Sequence, residues 1–397
     1  MKVLLAHKHI TPDVTTHARM LSFIGSWLHD AGHEVTIFGA MPSYNGSYGG
    51  EQPPRREDAE GVAIVRTASV GKLGGRRKQL EGVLFALRLA AHLARPRRRY
   101  DVISITTAPP VMVGVLCRLA LAGRRTKVVY HCQDLQPEAS LAAKVLHPGI
   151  VTRAMRRIDR ATCTWADRVV VLSADMRATV AERGATTDNV AIINNFNVEP
   201  DQEVGELDAE LKPEPGLARL VFTGNIGRFQ GLENLVDAMA LLRDEPVELV
   251  LMGNGAIVEA LRQRAAASGA RVRFVAHQPV ATVYALIKSA DLGVVSLAAD
   301  VHRSAYPSKT ITYLFAGCPL LVVADTSSQL VADVLEHGVG AVCPPDRPDE
   351  LAEVIRTALT GPRPDEHTIE KAAIALFDPE RARHDWLDLI AHLEGAP

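Results

Sequence analysis

The feature that most limits the fold is a succession of short apolar segments, each closed by glycine or a polar residue and separated by stretches of helical spacing. The first series runs MKVLLAH, EVTIFG from Glu34, VAIVRT from Val62, DVISIT from Asp101, KVVYH from Lys127, RVVVLS from Arg168 and VAIINN from Val190. Between most of them lie helical patterns; Thr15 to Asp30 keeps one apolar stripe until Ala31-Gly32-His33 stops it. Strands and helices in alternation predict a parallel sheet covered on both faces.

A second series follows, with LVFTG from Leu220, ELVLMG from Glu248, RVRFVAH from Arg271, DLGVVSL from Asp291, PLLVVA from Pro319 and AVCPP from Ala341. The acidic, proline-bearing PDQEVGELDAELKPEPG between the two series is the natural linker. The expectation is an α/β chain of two doubly wound Rossmann-like domains, residues 1–200 and 201–370, with a final segment 371–397. A length of 397 residues suits two cores. Open parallel sheets bind ligands beyond the carboxyl ends of their strands, so two such domains facing one another would place their loops around a central cleft.

Composition removes several classes. With 47% hydrophobic and 23% charged residues the chain is neither disordered nor fibrous. No apolar run is long enough to span a membrane, and the apolar stretch in MKVLLAHKHI is too short for a secretion signal, so a cytoplasmic protein is expected. Five cysteines without a CxxC pair argue against a disulfide framework and a cysteine zinc site. His7 and His9 share strand spacing but lack a third ligand nearby, so no metal site is expected.

The net charge of −2 hides an asymmetry: residues 1–200 hold 27 basic and 17 acidic side chains, the remainder 17 and 29. This suits an anionic small substrate, or membrane contact by the basic half. Nucleic acid is not expected, because no RNA-binding aromatic motif or zinc-finger pattern occurs. The segment Gly75 to Tyr100, an apolar helix face with arginines at both ends, fits peripheral attachment to an anionic membrane surface. The plainer reading is a solvated basic helix end packed on its own domain.

The most informative motif is LVFTGNIGRFQGLENLVDAM from Leu220, a buried strand, a loop with Gly224, Gly227 and Gly231, and an amphipathic helix. Such a loop lets backbone amides approach a phosphate, and Arg228 adds charge. The same glycines also fit a plain strand-to-helix turn. In AYPSKTITYLFAGCP, Ser308 is placed to cap a helix whose first turn holds Lys309, with Gly317 as its left-handed stop. Gly253-Asn254-Gly255 closes another strand. In the first half, Thr106 to Pro110 and Tyr130 to Asp134 end strands where ligand loops belong; His131 there is either a ligand contact or a satisfied histidine.

These segments together resemble the GT-B retaining glycosyltransferases of family 4, more narrowly the bacterial branch near the N-acetyl-fucosamine transferases. The carriers are AGHEVTIFG at 31–39, ITTAPP, DLQPEAS at 134–140, WADRVVVLS at 165–173, FTGNIGRFQGLENLVDA at 222–238, LMGNG at 251–255, ADLGVVSL at 290–297 and YPSKTITYLFAGCPLL at 306–321. The resemblance implies a GDP- or UDP-linked sugar held mainly by the second domain and an acceptor held mainly by the first. It assigns the diphosphate to Arg228 and Lys309 beside Gly224 and Asn225, and the nucleoside to Gly253, Asn254, Gly255 and His277. Thr15 and Thr16 stand near the phosphates, His131 and Asp134 face the donor sugar, and Thr107 and Pro109 contact the acceptor. The final helix, with Trp386, returns to the first domain.

The family's two usual glutamates fall at Ser304 and Thr312, neighbours of Pro307 and Ser308 at the donor. Its usual phosphate-loop arginine and lysine fall at Asn225 and Gln230, which leaves Arg228 with that role. The implied reaction is retaining, needs no metal or cofactor besides the nucleotide sugar, and takes a small or lipid-linked acceptor, natural products and thiols included. A sugar-nucleotide epimerase of the same architecture and a non-catalytic sugar-nucleotide binder are the alternatives.

Overall fold

Each β-branched run becomes a strand and each helical stripe a cover. The structure, a computed structural model, describes residues 1–13, 15–42, 52–68, 76–95, 97, 99–198 and 204–394, and only the backbone of 76–79. Two compact units result: residues 1–137, 148–198 and the segment from Pro379 form the first, and 138–147 with 199–378 the second. The expected boundary at residue 200 lies outside the described residues.

The first unit contains β1 (Lys2–Ala6), α1 (Thr16–Asp30), β2 (Glu34–Ala40), β3 (Arg56–Ala59), β4 (Val62–Thr67), α2 (Arg76–Ala94), β5 (Val102–Thr106), α3 (Met112–Ala120) and β6 (Lys127–His131). After α4 (Glu138–Ala142), which belongs to the second unit, it continues with α5 (Ile150–Trp165), β7 (Arg168–Val171), α6 (Ala174–Glu182) and β8 (Val190–Ile192). The strand order is β3-β4-β2-β1-β5-β6-β7-β8, parallel except where β3 runs antiparallel to β4. Four residues, REDA, make β3; being charged and mostly exposed at a sheet edge, they carry no apolar pattern. Helix α1 starts where the Thr15 hydroxyl accepts from the Ala18 amide at 3.1 Å. Its Met20, Leu21, Ile24 and Leu28 enter the core against Leu5 and Ile37.

The second unit contains β9 (Ala218–Thr223), α7 (Leu232–Leu241), β10 (Val247–Met252), α8 (Val258–Ser268), β11 (Val272–Val275), α9 (Val280–Lys288), β12 (Leu292–Ser296), α10 (Lys309–Phe315), β13 (Leu320–Val323), α11 (Gln329–His337), β14 (Gly340–Cys343), α12 (Pro348–Thr360) and α13 (Glu366–Phe377). All strands are parallel, in the order β11-β10-β9-β12-β13-β14. The acidic stretch read as a linker is tied to this unit where it is described. The fully buried Arg219 donates to the Leu211 carbonyl at 2.6 Å and pairs with Glu248 at 2.6 Å, while Arg273 reaches Glu248 at 3.1 Å and Glu214 at 3.6 Å.

Helix α13 stays with the second unit, and the chain returns to the first at α14 (Pro379–Glu394). There Trp386, Leu389, Ile390 and Leu393 are buried in the same core as α1. No helix among the described residues is long and apolar enough to cross a membrane.

Candidate functional site

Parallel strands all end at one edge of their sheet, and in the second unit that edge gathers the loops after β9, β10 and β12. The first two interlock through their backbones. Gly224 donates to the Met252 carbonyl at 2.8 Å and Ile226 to the Asn254 carbonyl at 3.0 Å. A Cβ on Gly253 would lie 1.9 Å from the Gly224 carbonyl oxygen, and one on Gly255 would lie 1.9 Å from that of Ile226. Any side chain would part the loops, so both glycines are required for packing. Gly224 and Gly253 also take φ of 106° and 142°, which side chains resist.

Lys309 reaches this loop from the first residue of α10. Its Nζ sits 4.5 Å from the Phe222 ring centroid and 3.7 Å from where a Cβ on Gly224 would be. Removal from water pulls the ammonium down to about 8, with no charged neighbour contributing. Arg228 is exposed on the same loop. What holds α10 in place was not visible in the sequence: the buried Tyr313 accepts the Thr223 amide at 2.9 Å, tying the helix to the end of β9. Gly293 on β12 leaves room for that ring, since a Cβ there would come within 2.8 Å of it.

Several expected donor contacts are otherwise occupied. Ser304 is fully buried and its hydroxyl donates to the Val301 carbonyl at 3.0 Å, so it presents nothing to a ligand. Ser308 precedes α10 but makes no capping hydrogen bond, because its own backbone is already helical. Gln230 turns inward to accept the Gly227 amide at 3.0 Å, which shapes the loop. Gly317 ends α10 as expected, at φ 73°, with Cys318 donating back to the Tyr313 carbonyl at 2.9 Å. Asn225, Asn254 and His277 are exposed, and Pro307 and Thr312 half-buried. A cavity of about 700 Å³ opens at the opposite edge of this sheet, lined by Asp291, Pro319, Gly340, Val354 and Arg363 at the amino ends of β12 to β14.

In the first unit the strand ends build a buried polar cluster. His131 is wedged between Trp386, with ring centroids 5.0 Å apart, and His17, at 5.1 Å. The Gln133 amide nitrogen lies 2.7 Å from its Nε2, and Gln133 is itself locked to Asn195 by reciprocal bonds of 3.2 and 3.1 Å. An Nε2 that accepts leaves the proton on Nδ1, which is buried without a partner. Burial first, and His17 second, hold the His131 imidazole well below the usual histidine range, so it is neutral. His7 bonds Thr106 at 2.7 Å and stacks edge-on with His17 at 4.4 Å. Neither nitrogen of His17 has a partner.

Asp134 accepts from the Thr107 hydroxyl at 2.8 Å and from Gln136 at 3.4 Å. Burial raises its carboxyl against the opposing effect of those bonds. Pro109 lies against Gly82 of α2, Thr15 is used as the cap of α1, and Thr16 is exposed beside it. Lys8, unremarked in the sequence, is buried after β1 and paired with Glu81 at 3.1 Å. Among the described residues no three His, Cys, Asp or Glu side chains converge in a way that could hold a metal ion.

Comparison with known proteins decides the class. Residues 16–195 match the glycosyl transferase 4-like domain, and 218–361 match the glycosyl transferases group 1 domain. The chain carries both domains of a glycosyltransferase. WbjE of Pseudomonas aeruginosa, named a glycosyltransferase, is 29% identical over 289 residues, 71% of this chain and 70% of that protein. WcaI of Escherichia coli, named a colanic acid biosynthesis glycosyl transferase, is 28% identical over 382 residues, 91% of this chain and 93% of that protein. Among solved structures, sucrose-phosphate synthase of Thermosynechococcus elongatus has a TM-score of 0.77 at 19% identity, over the whole of both chains. HepE of Anabaena, solved with UDP-glucose, has a TM-score of 0.69 at 16% identity over 99% of this chain and 100% of its own. The fold is thus the GT-B type, two Rossmann-like α/β domains with parallel sheets.

Proposed function

We propose that this glycosyltransferase moves a sugar, with retention of configuration, from a UDP- or GDP-linked donor whose diphosphate binds at the second unit's β9–α7 loop. One observation carries the reading. Lys309, with no carboxylate to neutralise it among the described residues, is held against Gly224 on a loop that also exposes Arg228. An ammonium drawn out of water beside a glycine loop has an anion as its natural partner, and HepE, of the same fold, was solved with UDP-glucose.

Negative charge accumulates on the diphosphate as the bond from the sugar's anomeric carbon to the phosphate oxygen breaks. Lys309 and Arg228 stabilise it there. The departing phosphate oxygen takes the acceptor's proton while the acceptor atom bonds the anomeric carbon on the same face. This scheme uses no protein nucleophile and no metal. Neutral His131 and the Thr107–Asp134 pair are the first unit's groups for sugar or acceptor hydroxyls. The relative named for colanic acid biosynthesis favours a polysaccharide-building acceptor, in the branch near the N-acetyl-fucosamine transferases.

Calorimetry with UDP and GDP tests the diphosphate assignment. K309M should lose on the order of a hundredfold in affinity for the nucleotide it prefers, equivalent to a charged hydrogen bond of about 2–3 kcal/mol, with unchanged circular dichroism. Wild-type affinity in K309M would refute it. Release of nucleoside diphosphate with a retained anomer, in the presence of a chelator, separates transfer from epimerisation and from metal-dependent catalysis.

A further inference from the structure

Three helices of the first unit share an outer face whose composition is unlike that of a solvated surface. Helix α3 packs against both α2 and α5, and so closely against α5 that a Cβ on Gly114 would lie 2.4 Å from the Thr162 side chain. Outside, the face is aliphatic. Leu87 of α2 is 47% exposed, Leu119 of α3 68%, and Ile150 and Val151 at the start of α5 79% and 68%.

Helix α5 inverts the usual arrangement. Its buried positions are Thr152, Asp159, Thr162 and Cys163, while Ile150, Val151 and Ile158 face out. The charges that accompany these residues have one sign: Arg118 on α3 and Arg153, Arg156, Arg157 and Arg160 on α5 are all exposed. Only two carboxylates occur on the three helices, and both are turned inward and engaged. Glu81 pairs with Lys8, and Asp159 accepts from Tyr130 and pairs with Arg183.

We propose that the α2–α3–α5 face docks this protein on an anionic lipid bilayer, with Leu119, Ile150 and Val151 entering the headgroup region and Arg153, Arg157 and Arg160 binding lipid phosphates. Protruding aliphatic side chains lose water on entering the acyl boundary, and guanidinium groups match phosphate oxygens. A second copy of the chain is a poor occupant, because a two-fold contact would lay the same arginine-rich face on itself. The segment from Gly75 to Tyr100 singled out in the sequence contributes only the outer stripe of α2; Gly75, Pro96 and Arg98 and the side chains of 76–79 lie outside the described residues. The inference does not depend on the donor assignment, and vesicle binding is read without turnover.

Flotation of the full chain with vesicles of phosphatidylcholine, alone or mixed equally with phosphatidylglycerol, tests it. The protein should float with the mixed vesicles and stay behind with the neutral ones. R153Q/R157Q/R160Q should bind the mixed vesicles on the order of a hundredfold more weakly. L119S/I150S/V151S should also lose binding, about tenfold or more, and raised salt should weaken it further. Exposed substitutions leave folding and nucleotide affinity as in the wild type, which circular dichroism and calorimetry verify. Equal flotation with both vesicle types, or binding unchanged in both triple variants, would overturn the proposal. So would a dimer in ultracentrifugation that L119S/I150S/V151S dissolves while vesicles capture nothing.

Discussion

Raising the pH through 8 should strip the proposed diphosphate site of the cation that loses its proton first. Lys309 is held at about 8 by desolvation alone, so in the free protein about nine-tenths of it is charged at pH 7 and about one-tenth at pH 9. An arriving diphosphate reverses the cause of the shift, because the ammonium then faces an anion. Binding must therefore supply the missing proton. Affinity for UDP or GDP should fall about tenfold by pH 9 and on the order of a hundredfold by pH 10, about 1.4 kcal/mol per decade. Calorimetry in buffers of different ionisation enthalpy should show uptake of about half a proton per nucleotide at pH 8. K309R should bind more weakly at neutral pH but show no such slope, since a guanidinium keeps its proton. A stability effect of defined sign accompanies this. The unfolded lysine holds its proton up to its ordinary 10.5, so between about 8 and 10.5 the unfolded chain binds more protons and this group's contribution to stability rises with pH. Flat affinity from pH 7 to 9.5 without proton uptake would refute the placement of Lys309 at the phosphate.

Three further outcomes follow from the geometry. Gly253→Ala, whose new Cβ would meet the Gly224 carbonyl at 1.9 Å, should cost about 3 kcal/mol or more in urea unfolding and abolish nucleotide binding, whereas Gly317→Ala, with open space at φ 73°, should cost about 1 kcal/mol. Tyr313→Phe orphans the buried Thr223 amide and should destabilise by about 1–3 kcal/mol while weakening UDP or GDP binding less than K309M does; equal loss in both would contradict a purely positioning tyrosine. His17, pushed down to about 4 by burial against an unfolded value of 6.5, favours the folded state above that range and loses the advantage as pH falls from 6.5 to 4. The acid-unfolding midpoint of His17→Phe should accordingly move to lower pH, and an unmoved midpoint would place the acid sensitivity elsewhere.

Much of the fold was legible because its signals are local. Every apolar run named in the sequence contains a strand, since β-branched residues without alternation have one stable environment, the middle of a covered sheet. Among the described residues only β3 escaped, being four mostly charged or exposed residues at an edge. The β9–α7 loop was legible for a related reason: three glycines between a buried strand and an amphipathic helix restrict the backbone wherever they occur. The glycines of the loop after β10 did not reveal their purpose, however. Gly253 and Gly255 make way for the backbone of the neighbouring loop, a contact between residues about 30 positions apart. The misjudged positions share this character. Ser304, Ser308 and Gln230 are polar residues in the expected segments, yet two of their side chains bond within their own turns and the third caps nothing.

From the amino-acid order alone came the two sheets, the order of their elements and the candidate cations Arg228 and Lys309, because periodicity, β-branching and glycine act over a few residues. Tertiary structure alone decided which of those groups carry unusual chemistry. Lys309 becomes a strengthened acid only when Phe222 and Gly224 close around it, and His131 becomes a neutral, half-partnered imidazole only when Trp386, distant in the chain, packs on its face. The reason is that desolvation and hydrogen-bond partnership depend on what surrounds an atom in space, and helix and strand patterns do not encode those surroundings.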